Sequence, residues 1–221
     1  MKSIRMSAAA FAFVTATAMI GIAAAQGQSP AIWKTITLGT YRNANVLREA
    51  LDSEHCNIEK GSGEVAGLAL PTIPINNDGP KAPFCHLEEL ANEIIGRPAF
   101  GLSPTKTELD LVVLSVSELG FGERNVSISN INARAESLGF ALCPPEAGPQ
   151  LRLQYLDQPL GEVLHIAMQP IARYNGDLVY LDVENGLWGL VLFGSKVTPL
   201  TGMDSSALFV FVKPRYGDNW N

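Results

Sequence analysis

The sequence predicts an α+β protein in which about three helices of the N-terminal half pack on a mainly antiparallel C-terminal sheet, a meander of hairpins. Three observations predict it. Apolar residues recur at helical spacing in three early segments. Four strand-length apolar runs, Val163 to Ile171, Leu178 to Val183, Leu187 to Phe193 and Ala207 to Lys213, fill the last third. Asn175-Gly176 and Asn185-Gly186 separate the first three runs, and Asn-Gly is a strong hairpin signal. Helices early and strands late give α+β rather than α/β.

The elements follow in chain order. Lys2 and Arg5 precede an apolar run from Ser7 to Ile22, then Ala23-Ala24-Ala25. This is the order of a secretory signal peptide cleaved after Ala25. The run is too short and too diluted by Ala and Thr for a spanning helix, which needs about 20 apolar residues. Residues 26–32 read as a flexible leader to one domain over 33–215, with a tail at 216–221. Trp33 to Leu38 alternates as a half-buried strand does. Asn43 caps a helix carrying Val46, Leu47, Ala50 and Leu51 on one face and ending near His55-Cys56.

Between Glu59 and Phe84, repeated Gly and Pro break any regular element. Leu87, Leu90, Ala91, Ile94 and Ile95 restore helical spacing until Gly96 and Pro98. Leu109 to Val116 is a buried strand, and Ile128 to Leu138 is the third helix. Leu151, Leu153 and Tyr155 alternate with Gln150, Arg152 and Gln154, which reads as a strand with one wet face.

Composition narrows the partners. The chain has 16 basic and 22 acidic residues, a net charge of −6, which signal cleavage moves to −8. No Lys/Arg cluster offsets that balance, so nucleic acid and anionic lipid are poor partners. A protein, small-molecule or glycan partner in the periplasm or medium fits better, with no membrane span after cleavage.

Several stretches resemble a family of bacterial proteins of unknown function. They are VLREALDSEHC (46–56), LANEIIGRPAF (90–100), ELDLVVLSVSELGF (108–121), ARAESLGFALCPPEAGPQLRL (133–153) and QYLDQPLGEVLHIAMQPI (154–171). The resemblance implies a shared compact fold over most of 33–215 and carries no activity. In that family the first helix runs through one Cys directly into the Leu-Ala-Asn helix. Here both Cys56 and Cys85 fit that Cys, so the segment at about 57–85 looks inserted. An insertion returns its two ends to one place, which makes Cys56–Cys85 the preferred disulfide. Closing that loop would contribute about 3–4 kcal/mol on the chain-entropy model. Cys143 is then a buried free thiol; the rival pairings join it to Cys56 or Cys85.

The chemistry-bearing residues are sparse. His55-Cys56 with Cys85-His86 could close a zinc tetrahedron, but adjacent ligands strain it, and an oxidising compartment favours the disulfide. No cofactor motif is present, and no spacing marks a catalytic group. There is no G-x-S-x-G, and Ser103 lacks the elbow context. His165 alternates with apolar residues in a strand, as a wet-face or satisfied core histidine does. The one dense polar feature runs from Glu146 to Glu162. Glu146, Gln150, Arg152 and Gln154 form its candidate binding set, because amides beside a guanidinium recognise carboxylate, carbonyl or sugar hydroxyl groups. The plainer reading has the same side chains satisfying buried backbone. The function expected is a secreted or periplasmic binding or accessory domain. The alternatives are a carboxylate-dependent hydrolase of the cell envelope and a structural component of an envelope assembly.

Overall fold

Asn43 does what its position suggests: its Oδ1 accepts from Val46 N at 3.0 Å and starts the first helix. The computed structural model describes residues 30–53, 85–122, 125–186, 189–198 and 201–215, and from Ala31 onward the chain clusters as one compact unit. The expected signal, most of the expected leader, Cys56, residues 57–84 of the expected insertion at about 57–85 and the expected tail at 216–221 lie outside the described residues. So does the Cys85 side chain, and with it the Cys56–Cys85 pairing.

The element order is β1 (Lys34–Leu38), α1 (Ala44–Ser53), β2 (Cys85–Leu87), α2 (Glu89–Ile95), β3 (Thr107–Ser115), β4 (Val126–Ser127), α3 (Ile128–Ser137) and α4 (Ala147–Gln154). Then come β5 (Val163–Ile166), β6 (Ile171–Ala172), β7 (Leu178–Gly186), β8 (Gly189–Val197), β9 (Gly202–Met203) and β10 (Leu208–Val212). The protein is α+β, with four helices among the described residues and a mainly antiparallel sheet ordered β1-β3-β10-β5-β7-β8-β2, β6 pairing β7 beside that path. Among the described strands, only β10 with β5 and β2 with β8 run parallel.

Alternation along the strands splits the core in two. Ile36, Leu109, Leu111, Leu164, Leu181, Val183, Leu192, Val210 and Val212 belong to one cluster with residues of α1, α2 and α4. Val112, Leu114, Phe209 and Phe211 join Ile131 and Ala135 of α3 in the other. Cys143 is free and buried, its Sγ donating to Val210 O at 3.4 Å, and burial pushes its thiol well up.

Four expectations are corrected. The helices number four among the described residues, and two of them lie past the midpoint of the chain. Residues 150–154 are helix, not strand, because Glu146, Gln150 and Gln154 hydrogen-bond in series at four-residue spacing, which only a helix allows. Leu87 belongs to β2 rather than to the helix after it, since Cys85 to Leu87 pair with Leu190 to Leu192. The meander holds for β5, β7 and β8 only. Asn185-Gly186 lies within β7, with Gly186 paired to Gly189, so the reversal comes after it. The last strand does not extend the meander but returns to the middle, between β3 and β5. Asn175-Gly176 does turn β6 into β7, with Gly176 at φ +90°.

Candidate functional site

A buried carboxylate at the start of α4 holds two loops together. Glu146 is 1% exposed and makes no capping bond to its own helix. Its Oε1 accepts from Gly39 N at 2.8 Å and from Gln150 Nε2 at 2.9 Å; its Oε2 accepts from Ser103 N at 2.7 Å. Gly39 follows β1 and Ser103 precedes β3, so one side chain fixes the distance between the two segments. Gly39 also needs its lack of a side chain: at φ +68°, a Cβ there would lie 2.1 Å from Thr105 O. The segments rim an open depression of about 420 Å³, lined by Tyr41, Arg42, Leu102 and Ser103 among others. Arg42 is exposed at the rim. A guanidinium and hydroxyls beside an apolar Leu102 suit a small polar ligand bearing carboxylate or hydroxyl groups.

Gln150 and Gln154 extend the line from Glu146. Gln154 Nε2 donates to Gln150 Oε1 at 3.0 Å. The same amide brackets the backbone of edge strand β1, accepting from Thr37 N at 2.9 Å and donating to Thr37 O at 3.0 Å. It occupies the edge as a short extra strand would.

Arg152 is set apart from the other three. Two positions from Gln150 and from Gln154, it points to the opposite side of the helix. It is 1% exposed, with Nη1 donating to Gln158 Oε1 at 2.5 Å and to Glu184 O at 3.2 Å, and Nη2 donating to Tyr155 O. These acceptors are neutral, and burial pulls the guanidinium down to about 10. Gln158 donates onward to Glu162 O and Val183 O, both at 3.1 Å, so Arg152 organises the turn from α4 into β5. Of the four residues singled out in the sequence, the fold therefore brings together Glu146, Gln150 and Gln154, and uses Arg152 elsewhere. They line no sheet face, because their segment is a helix.

A second constellation escaped the sequence reading. Asp182, in β7, is fully buried. Its Oδ1 lies 2.6 Å from His165 Nδ1, and its Oδ2 accepts from Ser195 Oγ at 2.5 Å. Burial holds the carboxyl above the ordinary carboxylate range, and the His165 and Ser195 contacts offset that only in part. The available signal was a carboxylate flanked by Leu181 and Val183 in a strand, which demands a partner when buried. No spacing rule identifies that partner 17 residues away.

The described residues contain no group of three or more His, Cys, Asp or Glu arranged to hold a metal ion. None of their helices is long and apolar enough to cross a membrane. No family model, curated protein or solved structure matches the chain.

Proposed function

We propose that the protein is an exported binding or accessory domain that takes a small polar ligand, carrying carboxylate or hydroxyl groups, in the depression between residues 39–42 and 102–104. The observation that carries this reading is the Glu146 clamp. Burying a carboxylate costs several kcal/mol unless donors surround it. Here three N–H donors do so, and two of them belong to the backbone of irregular segments. The result is a fixed concave rim, which lowers the ordering cost of binding. Export rests on the basic start, apolar run and Ala-rich site of residues 1–25. The intact mass of protein recovered outside the cytoplasm tests it, the expected chain starting at Gln26.

Binding is tested by NMR titration with N-acetylmuramic acid, N-acetylglucosamine and succinate: a carboxylated sugar, its neutral counterpart and a plain dicarboxylate. The amide signals of Thr40, Tyr41 and Ser103 should move, and Arg42→Ala should weaken the carboxylated probes about tenfold or more. Shifts confined to other surfaces, or an Arg42→Ala variant that binds equally well, would refute the assignment.

A further inference from the structure

The strand register builds a surface around His165 that the depression does not involve. His165 pairs with Asp182, and Asp182 with Phe193. One step along, Val163 pairs with Glu184, and Glu184 with Val191; on the other side, Tyr180 pairs with Ser195. Directly opposed residues share a face of the sheet. α3 covers this face over β3 and β10, where Ile131 and Ala135 belong to the same cluster as Val112 and Phe211. Over β5, β7 and β8 it is half open: Val163, His165, Val191, Phe193 and Ser195 are all only partly buried.

The hydrogen bonds fix the imidazole. With the proton they share held on the imidazole, His165 donates to Asp182 through Nδ1–H, which leaves the Nε2 lone pair. Nε2 makes no hydrogen bond among the described residues, and the side chain keeps 17% of its surface exposed. Ser195 holds the other carboxylate oxygen, so Asp182 cannot turn away. Phe209 lies 5.0 Å from the imidazole between ring centroids, and Tyr180 lies 6.0 Å away. A buried carboxylate contributes little to stability relative to an apolar residue of the same size. Orienting a base is a use that repays its burial.

We propose that His165 is a general base, acting on small uncharged acyl esters that lie along the apolar strip of Val163, Val191 and Phe193. Ser195 is not placed as the nucleophile, because its hydroxyl bonds the carboxylate and not the imidazole. Water takes that part. Nε2 accepts a proton from water as the water oxygen bonds to the acyl carbon. The bond from that carbon to the alcohol oxygen then breaks, and the proton on Nε2 passes to the departing oxygen. Acid and alcohol leave, and the imidazole is restored. Asp182 is a positioning residue: it fixes the tautomer and balances the transient imidazolium charge. Glu184, on the same face, disfavours anionic substrates.

The test is hydrolysis of p-nitrophenyl acetate and p-nitrophenyl butyrate by the full mature chain, compared with free imidazole at equal concentration. The protein should exceed imidazole at least tenfold, favour the butyrate and slow in D2O. His165→Gln should remove the excess and Asp182→Asn should reduce it tenfold or more. Asp182→Asn is nearly isosteric and still offers an oxygen to Nδ1–H, so it serves where the His165 variant does not fold. No excess over imidazole, or an Asp182→Asn or His165→Gln protein that folds and keeps the full rate, would overturn the proposal.

Discussion

At the scale of single residues, the fold spends its carboxylates on distant backbone and side chains, and one of them reports on pH. Asp110 sits opposite Thr35 across β3 and β1, with Thr35 Oγ donating to it at 2.6 Å. Arg215 donates from Nε to Oδ2 at 2.6 Å and from Nη2 to Oδ1 at 2.8 Å. Chiefly through Arg215, and next through Thr35, the Asp110 carboxyl is lowered from 3.8 to about 2. A carboxyl depressed by folding binds protons more readily in the unfolded chain. Its contribution is therefore complete above the unfolded value near 4 and is lost as pH falls toward 2. Arg215→Gln should accordingly lower the urea midpoint at pH 6, and the gap from wild type should close as the pH approaches 2. A gap that stays constant across that range would mean that Asp110 is not the group Arg215 serves. Asp110, like Asp182, is a buried carboxylate flanked by apolar residues in a strand. The sequence displays both residues and names the partner of neither, because those partners lie 105 and 17 positions away.

At the scale of elements, close approach rather than propensity decides how α2 sits. Glu88 caps this seven-residue helix, its Oε2 accepting from Leu90 N at 2.7 Å and Ala91 N at 3.3 Å, and also from Gly194 N of β8 at 3.3 Å. A Cβ at Gly194 would lie 2.8 Å from both Leu90 Cβ and Val179 Cγ1 and 3.0 Å from Ala91 N. Gly194→Ala should thus push the helix off the sheet and cost about 1–3 kcal/mol in urea unfolding; a neutral result would show that α2 slides freely on β8. Elements with clean periodicity were legible: β1, α1 as far as Ser53, most of α2, β3 and α3 lie where apolar spacing and caps put them, although Val46 and Leu138, expected on the apolar faces of α1 and α3, are exposed. α4 was not, because Gln150 to Tyr155 alternates polar with apolar and Pro149 precedes it. Proline is tolerated there, in the first turn, where its missing N–H would have no helical partner. The competing signal was the four-residue spacing of Glu146, Gln150 and Gln154. It is also the part of the candidate site that the sequence contained but that a strand reading obscured.

At the scale of the whole molecule, the decisive pairing is the least local one. β10 closes the sheet from the inside, antiparallel to β3 and parallel to β5. Pairings across such distances leave no local signature, which is why the late strands read as one meander. What the sequence does carry is the unbroken apolar run Leu208-Phe209-Val210-Phe211-Val212, the composition of a strand buried on both faces. From Phe209 to Val212 the strand is fully buried, contributing to both core clusters. Without it, β1 and β3 have no ladder to the rest of the sheet among the described strands, and α3 loses Phe209 and Phe211 from the surface it covers. A chain ending at Ser206 should therefore fail to reach the native state, showing no cooperative urea transition and no dispersed amide spectrum. Two point substitutions separate packing from topology. Phe211→Ala should cost about 3–5 kcal/mol by opening a cavity under α3. Val210→Pro should do more harm than its side-chain change implies, because Val210 N–H belongs to a central ladder that a proline cannot complete. If the truncated chain still unfolds cooperatively, β10 is an accessory to a sheet that closes without it, and the two halves of the fold are independent.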